Sequence, residues 1–172
     1  GDVWTHTLMV VDEMATLKPN DPERALQFMF AALCHDFGKP LTTKKIDGKW
    51  RSPGHEAEGV EPSNAFMSRL TENKTLIEGI LPLVKHHLKP ALLYNADQSD
   101  GVSDAAIRRL STKVCIEDLV LLARADHYGR GTKDAINKEF PAGEWLLKRA
   151  HELDVKTSKP APLITGKDLI LL

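Results

Sequence analysis

The chain has 172 residues, enough for one domain that buries about 70% of its unfolded surface. Lys and Arg total 23 against 24 Asp and Glu, a net charge of −1, so global basicity does not point to nucleic acid or an anionic membrane. No apolar run reaches the roughly 18 to 20 residues of a membrane span, and the two cysteines, Cys34 and Cys115, lack disulfide-framework or zinc spacing, which fits a reducing cytoplasm. The chain starts at Gly1 without methionine and ends on the apolar "LITGKDLILL". We therefore expect a piece cut from a longer protein.

Periodicity is helical nearly throughout. Asp2 caps a first helix over about Val3–Leu17, with Val3, His6, Val10, Met14 and Leu17 on one stripe. In "NDPERALQFMFAALCHDFGKP", Asp21 is a cap, Pro22 a first helical residue, Gly38 an end and Pro40 a stop. Leu26, Met29, Phe30 and Leu33 make that helix apolar and lead it into His35-Asp36. Asp47-Gly48, between short alternating segments, predicts a small β-hairpin near residues 42–52. "HEAEGVEPSNAFMSRL" and "TLIEGILPLVKHHL" read as helices with a kink or restart at Pro62 and Pro82. Residues 94–103 read as a polar loop, after which Ser103 caps a helix through Ile107 and Leu110. "IEDLVLLARAD" is a buried helix ending at Asp126, and a last amphipathic helix carries Trp145, Leu146 and Ala150 before Pro160 and Pro162 break the chain. The expected architecture is an all-α, single-core bundle.

Four residues on or beside apolar stripes carry the chemistry: His6, His35, Asp36 and Asp126. Asp126 follows Leu122 and Leu119 at helical spacing, so its carboxylate points inward. A buried unpaired carboxylate costs several kcal/mol or becomes protonated, and two that converge repel. One divalent cation resolves this, because it keeps the acids ionised and the imidazoles neutral. The mixed N/O set suits Mn, Fe, Co, Ni, Zn or, less well, Mg. His35 and Asp36 are expected in the last turn of their helix, where the dipole favours a cation. Along "TLIEGILPLVKHHL" Leu76, Ile80, Leu83 and His87 share a stripe, while His86 falls with Gly79 and Pro82. His87 is therefore the inward histidine and His86 the one toward solvent or behind the ligands. Arg108, Arg109, Arg124 and Arg130 are candidates for a phosphate-facing rim, His127 and His151 read as surface residues, and Cys34 as inert packing.

The pattern His6, His35-Asp36, Asp126 resembles the H…HD…D signature of the HD superfamily of metal-dependent phosphohydrolases. The segments "GDVWTHTLMVVD", "HDFGKP", "PGHEAEG", "HHLKP", "AIRRL" and "ITGKDL" are similar to the HD region of bacterial tRNA nucleotidyltransferases (CCA-adding enzymes) and poly(A) polymerases. The resemblance implies an HD-domain helical bundle over residues 1–172, as part of a longer nucleotidyltransferase-like protein with an N-terminal polymerase head. The head's Gly-rich motif and Asp-x-Asp are missing here, so nucleotide addition is not carried by this piece alone. It also implies one or two divalent ions, with His55 and His87 serving the second while Asp36 bridges, and a phosphate-facing Lys39.

The implied reaction is phosphomonoester or phosphodiester hydrolysis. In it Asp36 and Asp126 serve the metal and the attacking water, while Lys39 or His55 neutralises transition-state charge. The implied substrates are nucleotide 2′-phosphates, 2′,3′-cyclic phosphates or the phosphorylated tRNA 3′ end. The competing readings are a non-catalytic RNA-positioning module of the polymerase and a free-standing nucleotide hydrolase.

Overall fold

The computed structural model describes residues 2–155; the expected breaks at Pro160 and Pro162, and the "ITGKDL" segment, lie outside the described residues. Helix α1 (Val3–Leu17) starts where expected, with the Asp2 carboxylate accepting from the Thr5 amide at 2.9 Å. It buries Val10 and Met14, whereas Val3 is exposed. Helix α2 (Pro22–Cys34) opens on the Asp21 cap and packs on α1.

The expected apolar face of α2 is corrected. Leu26 is 47% exposed, and the buried side chains are Phe28, Ala31, Ala32 and Cys34. The small alanines let neighbouring helices approach closely, so the inward face is set by fit rather than by the largest side chains. Cys34 is inert as expected, since burial pushes its thiol up to about 12. The helix also ends earlier than expected. His35 is its C-cap, Asp36 lies in the following turn, and Pro40 is an early residue of a short α3 (Lys39–Thr42) rather than a stop.

Strands β1 (Lys44–Ile46) and β2 (Lys49–Arg51) pair antiparallel, Lys45 opposite Trp50, around an Asp47-Gly48 turn with both φ positive. That two-residue turn matches the right-handed twist of the strands. The break after "HEAE" falls at Gly59, between α4 (His55–Glu58) and α5 (Val60–Leu70), and Pro62 sits in the first turn of α5, where its missing N–H costs nothing. Pro82 lies inside α6 (Lys74–His86), which is capped by Asn73 and lies against α2.

The expected polar loop over 94–103 is instead mostly helix. Helix α7 (Lys89–Ser99) begins on Pro90 and packs on the last helix, with Tyr94 edge-on to Trp145 and the Trp145 indole N–H donating to Asp97. Tertiary partners here override weak local propensity. Ser103 caps α8 (Asp104–Ser111) as expected. Helix α9 (Ile116–Tyr128) runs two residues past Asp126, and a short α10 (Lys133–Ile136) precedes α11 (Pro141–Glu152). Met14, Phe28, Ile80, Leu119, Leu122 and Leu146, from five helices, meet in one core. The result is a helical bundle with one two-stranded hairpin.

Candidate metal centre

Five helices deliver their ends or inward faces to one spot. Helix α1 supplies His6, the α2 terminus His35 and Asp36, the first residue of α4 His55, the C-cap of α6 His87, and α9 Asp126. Two close backbone approaches hold these pieces together. A Cβ on Gly38 would overlap the His55 carbonyl oxygen and stand 2.5 Å from the Gly59 nitrogen. A Cβ on Gly129 would come within 2.7 Å of the Val10 side chain, where α9 meets α1. Gly38 therefore marks contact with α4, not the helix terminator that its position suggests.

All four imidazoles are oriented in the same way. Nδ1 of His35 donates to Ala32 O, that of His55 to Ser52 O and that of His87 to Val84 O, each at 2.7 Å, while His6 Nδ1 donates to Gly129 O at 3.2 Å. A carbonyl only accepts, so Nδ1 carries the proton and a neutral ring presents a bare Nε2 lone pair inward. Those nitrogens converge on carboxylate oxygens. His6 Nε2 lies 3.0 Å from Asp126 Oδ1, and His35 and His55 Nε2 each lie 3.2 Å from Asp36. Adjacent rings stand about 5.3 Å apart from His35 to His87 and from His87 to His55.

The electrostatics show what is missing. Nε2 of His35, His55 and His87 is buried without a hydrogen-bond partner. Burial opposes charge on His35 and His55, but the Asp36 carboxylate outweighs it and raises both pKa values. His87, also opposed by burial and by charge on His35, is held down at about 4, so its ring stays neutral and its lone pair meets no donor. Burial would raise Asp36 and Asp126; the neighbouring histidines, with Lys39 and Arg130 respectively, hold both well below the usual carboxylate range. Three buried Nε2 atoms without a hydrogen-bond partner, ranged against two ionised carboxylates, make a donor set that a divalent cation fits.

The donors fall into two trios, His6, His35 and Asp126, and Asp36, His55 and His87, each with ligand atoms within 4.8 Å of one another. Asp36 faces both: Oδ1 points to His55, while Oδ2 lies 3.2 Å from His35 and 3.8 Å from His6. All six expected ligand positions therefore come together. Five of them, all but the fully buried His35, line a cavity of about 410 Å³ with Lys39, whose ammonium lies 2.5 Å from Asp36, and Arg130, 2.8 Å from Asp126. Val3, Met9 and Leu88 give it an apolar lip.

Several expectations need correction. His87 does face the cluster, but His86 is not in solvent: it is 8% exposed and lines separate hollows with Lys89, Arg109 and Lys113. Of the four arginines only Arg130 reaches the cavity; Arg124 pairs with Glu144 and Arg108 donates to Leu153 O. His127 is partly buried, stacked on Phe140 at 4.9 Å and 3.2 Å from Asp134. Sequence reasoning missed Met9, although it lies one turn after His6 on the same face, and it missed the carbonyls at i−3 of three histidines. Backbone acceptors leave no mark in residue type, and the i−3 spacing is their only trace.

Comparison with known proteins agrees with this geometry. The chain matches the HD domain family over residues 3–131, a span that contains all six candidate ligands. It is 31% identical over 161 residues to a multifunctional CCA protein of Actinobacillus pleuropneumoniae, covering 90% of this chain and 38% of that one. It is 30% identical over 177 residues to a CC-adding tRNA nucleotidyltransferase of Thermus thermophilus (98% and 36%), and 32% identical over 163 residues to a multifunctional CCA protein of Stenotrophomonas maltophilia (88% and 35%). The chain thus spans little more than a third of the curated relatives it matches. No solved structure matches it. With its family match running from α1 through the turn after α9, the chain belongs to the HD domain family.

Proposed function

We propose that this chain is a metal-dependent phosphohydrolase domain of a tRNA nucleotidyltransferase-like protein, joined to an N-terminal nucleotidyltransferase head. Its substrate is a nucleotide or RNA-end phosphate, a 2′-phosphate or a 2′,3′-cyclic phosphate, as on the 3′ end of tRNA. The observation that carries the reading is the buried, partnerless lone pair of His87 beside the buried Nε2 atoms of His35 and His55, which also lack a hydrogen-bond partner and face ionised carboxylates. His6, His35, Asp36 and Asp126 would hold one divalent ion, and Asp36, His55 and His87 a second. Such an ion supplies Lewis acidity toward a phosphate oxygen and an activated water at neutral pH.

The chain's own groups divide the remaining work. Lys39 and Arg130 place two cations on the cavity wall, where a phosphate can exchange with the carboxylates they now hold. Asp126, ionised and anchored at Oδ2 by Arg130, directs Oδ1 into the cluster, positioned to accept the proton of the attacking water. The Thermus thermophilus relative is named as a CC-adding tRNA nucleotidyltransferase, which supports the setting in tRNA processing.

The test is elemental analysis of the purified protein beside a phosphoester panel with and without Mn, Ni or Mg. At least one equivalent of divalent metal is expected, lost in His35→Ala or Asp36→Ala. With two ions, His55→Ala and His87→Ala each lower the ratio toward one, and His86→Ala leaves it unchanged. Full metal occupancy in Asp36→Ala would sink the site. Metal without hydrolysis of any phosphoester would favour a positioning module that has kept its ligands.

A further inference from the structure

The hairpin β1–β2 is the most concentrated block of unpaired positive charge next to the cavity. Lys44, Lys45, Lys49 and Arg51 stand against a single acid, Asp47, in a chain whose net charge is −1. Among the described residues none of these four cations has a carboxylate partner, whereas Arg24, Arg124, Arg149 and Lys138 elsewhere are all paired. The register makes this worse, because Lys44 lies directly opposite Arg51. Like charges facing each other across two strands destabilise the pair. On the other face of the hairpin Trp50, paired with Lys45, is 73% exposed, and Leu41, before β1, is 66% exposed. Two strands of three residues have no need of an exposed indole or of opposed cations for their own stability.

The hairpin also stands in a particular place. Its neck is closed by Thr43 Oγ1 and Ser52 Oγ at 2.7 Å. The Thr43 amide donates to Lys39 O, and Ser52 O receives the His55 Nδ1 proton. Lys39 and His55, at the two feet of the hairpin, both line the metal cavity. From there each three-residue strand extends about 10 Å.

We infer that this hairpin is a strand-holding arm of the centre: Trp50 and Lys45 on one face, with Lys44, Lys49 and Arg51 around the other, bind a single-stranded oligonucleotide whose terminal phosphate occupies the cavity. The cations follow the phosphodiester backbone and the indole offers a stacking face to a base, the combination that holds single strands without reading sequence. The arm makes a polynucleotide end a better substrate than a mononucleotide. This inference rests on the proposed phosphohydrolase activity for its kinetic readout, but not for its binding readout.

Two variants test it: Trp50→Ala, and Lys45→Gln with Lys49→Gln. All three side chains are exposed and none touches the metal cluster. Binding of a fluorescent oligoribonucleotide is followed by anisotropy in chelator, so that turnover plays no part. Loss of the indole is expected to weaken binding roughly tenfold. Loss of two lysines is expected to flatten the dependence of log affinity on log salt by roughly one. On an oligoribonucleotide ending in a 2′,3′-cyclic phosphate, KM rises by the same factor while kcat holds, and the mononucleotide cyclic phosphate is turned over as by the wild type. Unchanged oligonucleotide affinity in both variants overturns the arm. So does tighter binding of a polyglutamate peptide than of the oligonucleotide, which would identify an acidic protein partner instead. If the wild type hydrolyses neither substrate, the activity fails while the anisotropy still decides the arm.

Discussion

His86 and His87 are adjacent, buried and both neutral, yet they have different surroundings. His87 is the C-cap of α6 and faces carboxylates across the cluster; His86 faces Lys85, Lys113 and Lys89 on the other side of the same turn. Burial, reinforced by those lysines, holds the His86 pKa down at about 4 against an ordinary 6.5. The unfolded chain therefore takes up a proton below pH 6.5 that the folded chain refuses until about pH 4. Stability contributed by keeping His86 neutral is complete above 6.5 and is lost as pH falls through that window. In the metal-free protein, His86→Leu should abolish this dependence, so the stability difference between wild type and variant shifts in the variant's favour by about 2 kcal/mol from pH 7 to pH 5. Urea denaturation at the two pH values measures it, and a pH-independent difference would show that the imidazole is already charged or solvated in the fold. The inward direction of His87 was legible from the stripe of Ile80 and Leu83, because Pro82 does not turn the helix out of phase. The burial of His86 was not, since it depends on helix α8 and the segment after it, far along the chain.

At the scale of elements, local chemistry and tertiary fit divide the outcome. Asp2, Asp21, Asn73 and Ser103 each accept a hydrogen bond from an amide three residues on, and such caps can be read from residue type alone. The hairpin was equally legible from Asp47-Gly48. What escaped was α7, whose later residues, Tyr94 to Ser99, read as a loop but become helical where α11 offers Trp145 to Tyr94 and Asp97. The end of α2 escaped for a related reason. Gly38 reads as a terminator, but its missing side chain makes room for the α4 backbone. Gly38→Ala should therefore cost about 3 kcal/mol or more, because the atoms it would strike are backbone and cannot swing aside. It should also displace His55 and weaken metal binding. Gly131→Ala, which meets nothing within 4 Å, is the control and should be close to neutral in the same thermal melts. Equal melting temperatures for the two variants would show that the α2–α4 junction relaxes freely.

Across the whole molecule, the candidate ligands come from α1, the end of α2, α4, α6 and α9, elements that also pack on one another. Removing metal should therefore be felt globally. An ion that binds only the folded chain stabilises it by RT ln(1 + [L]/Kd), about 4 kcal/mol at a thousandfold excess over Kd. Calorimetry before and after verified chelation should show a clear drop in melting temperature, and an unchanged value would mean that the six side chains do not share an ion. His6, His35, Asp36 and Asp126 were legible because buried charge is rare enough to stand out against apolar stripes, and the family resemblance added His55 and His87 with Asp36 between; the distances within the two trios were not, because they depend on where five helix ends meet. Among the described residues no helix is long and apolar enough to cross a membrane.

The ring of His6 joins residues far apart in the chain, reaching Asp126 and the Gly129 carbonyl across 120 and 123 positions. During synthesis on a ribosome this has a consequence in time. A growing chain that has not yet extruded α9 already carries His6, His35, Asp36, His55 and His87, but neither Asp126 nor the carbonyl that orients the His6 ring. Until then α1 also lacks the α9 surface it packs on. Filling the trio of His6, His35 and Asp126 is thereby deferred until about three quarters of the sequence has been made, whereas Asp36, His55 and His87 are all present by the end of α6.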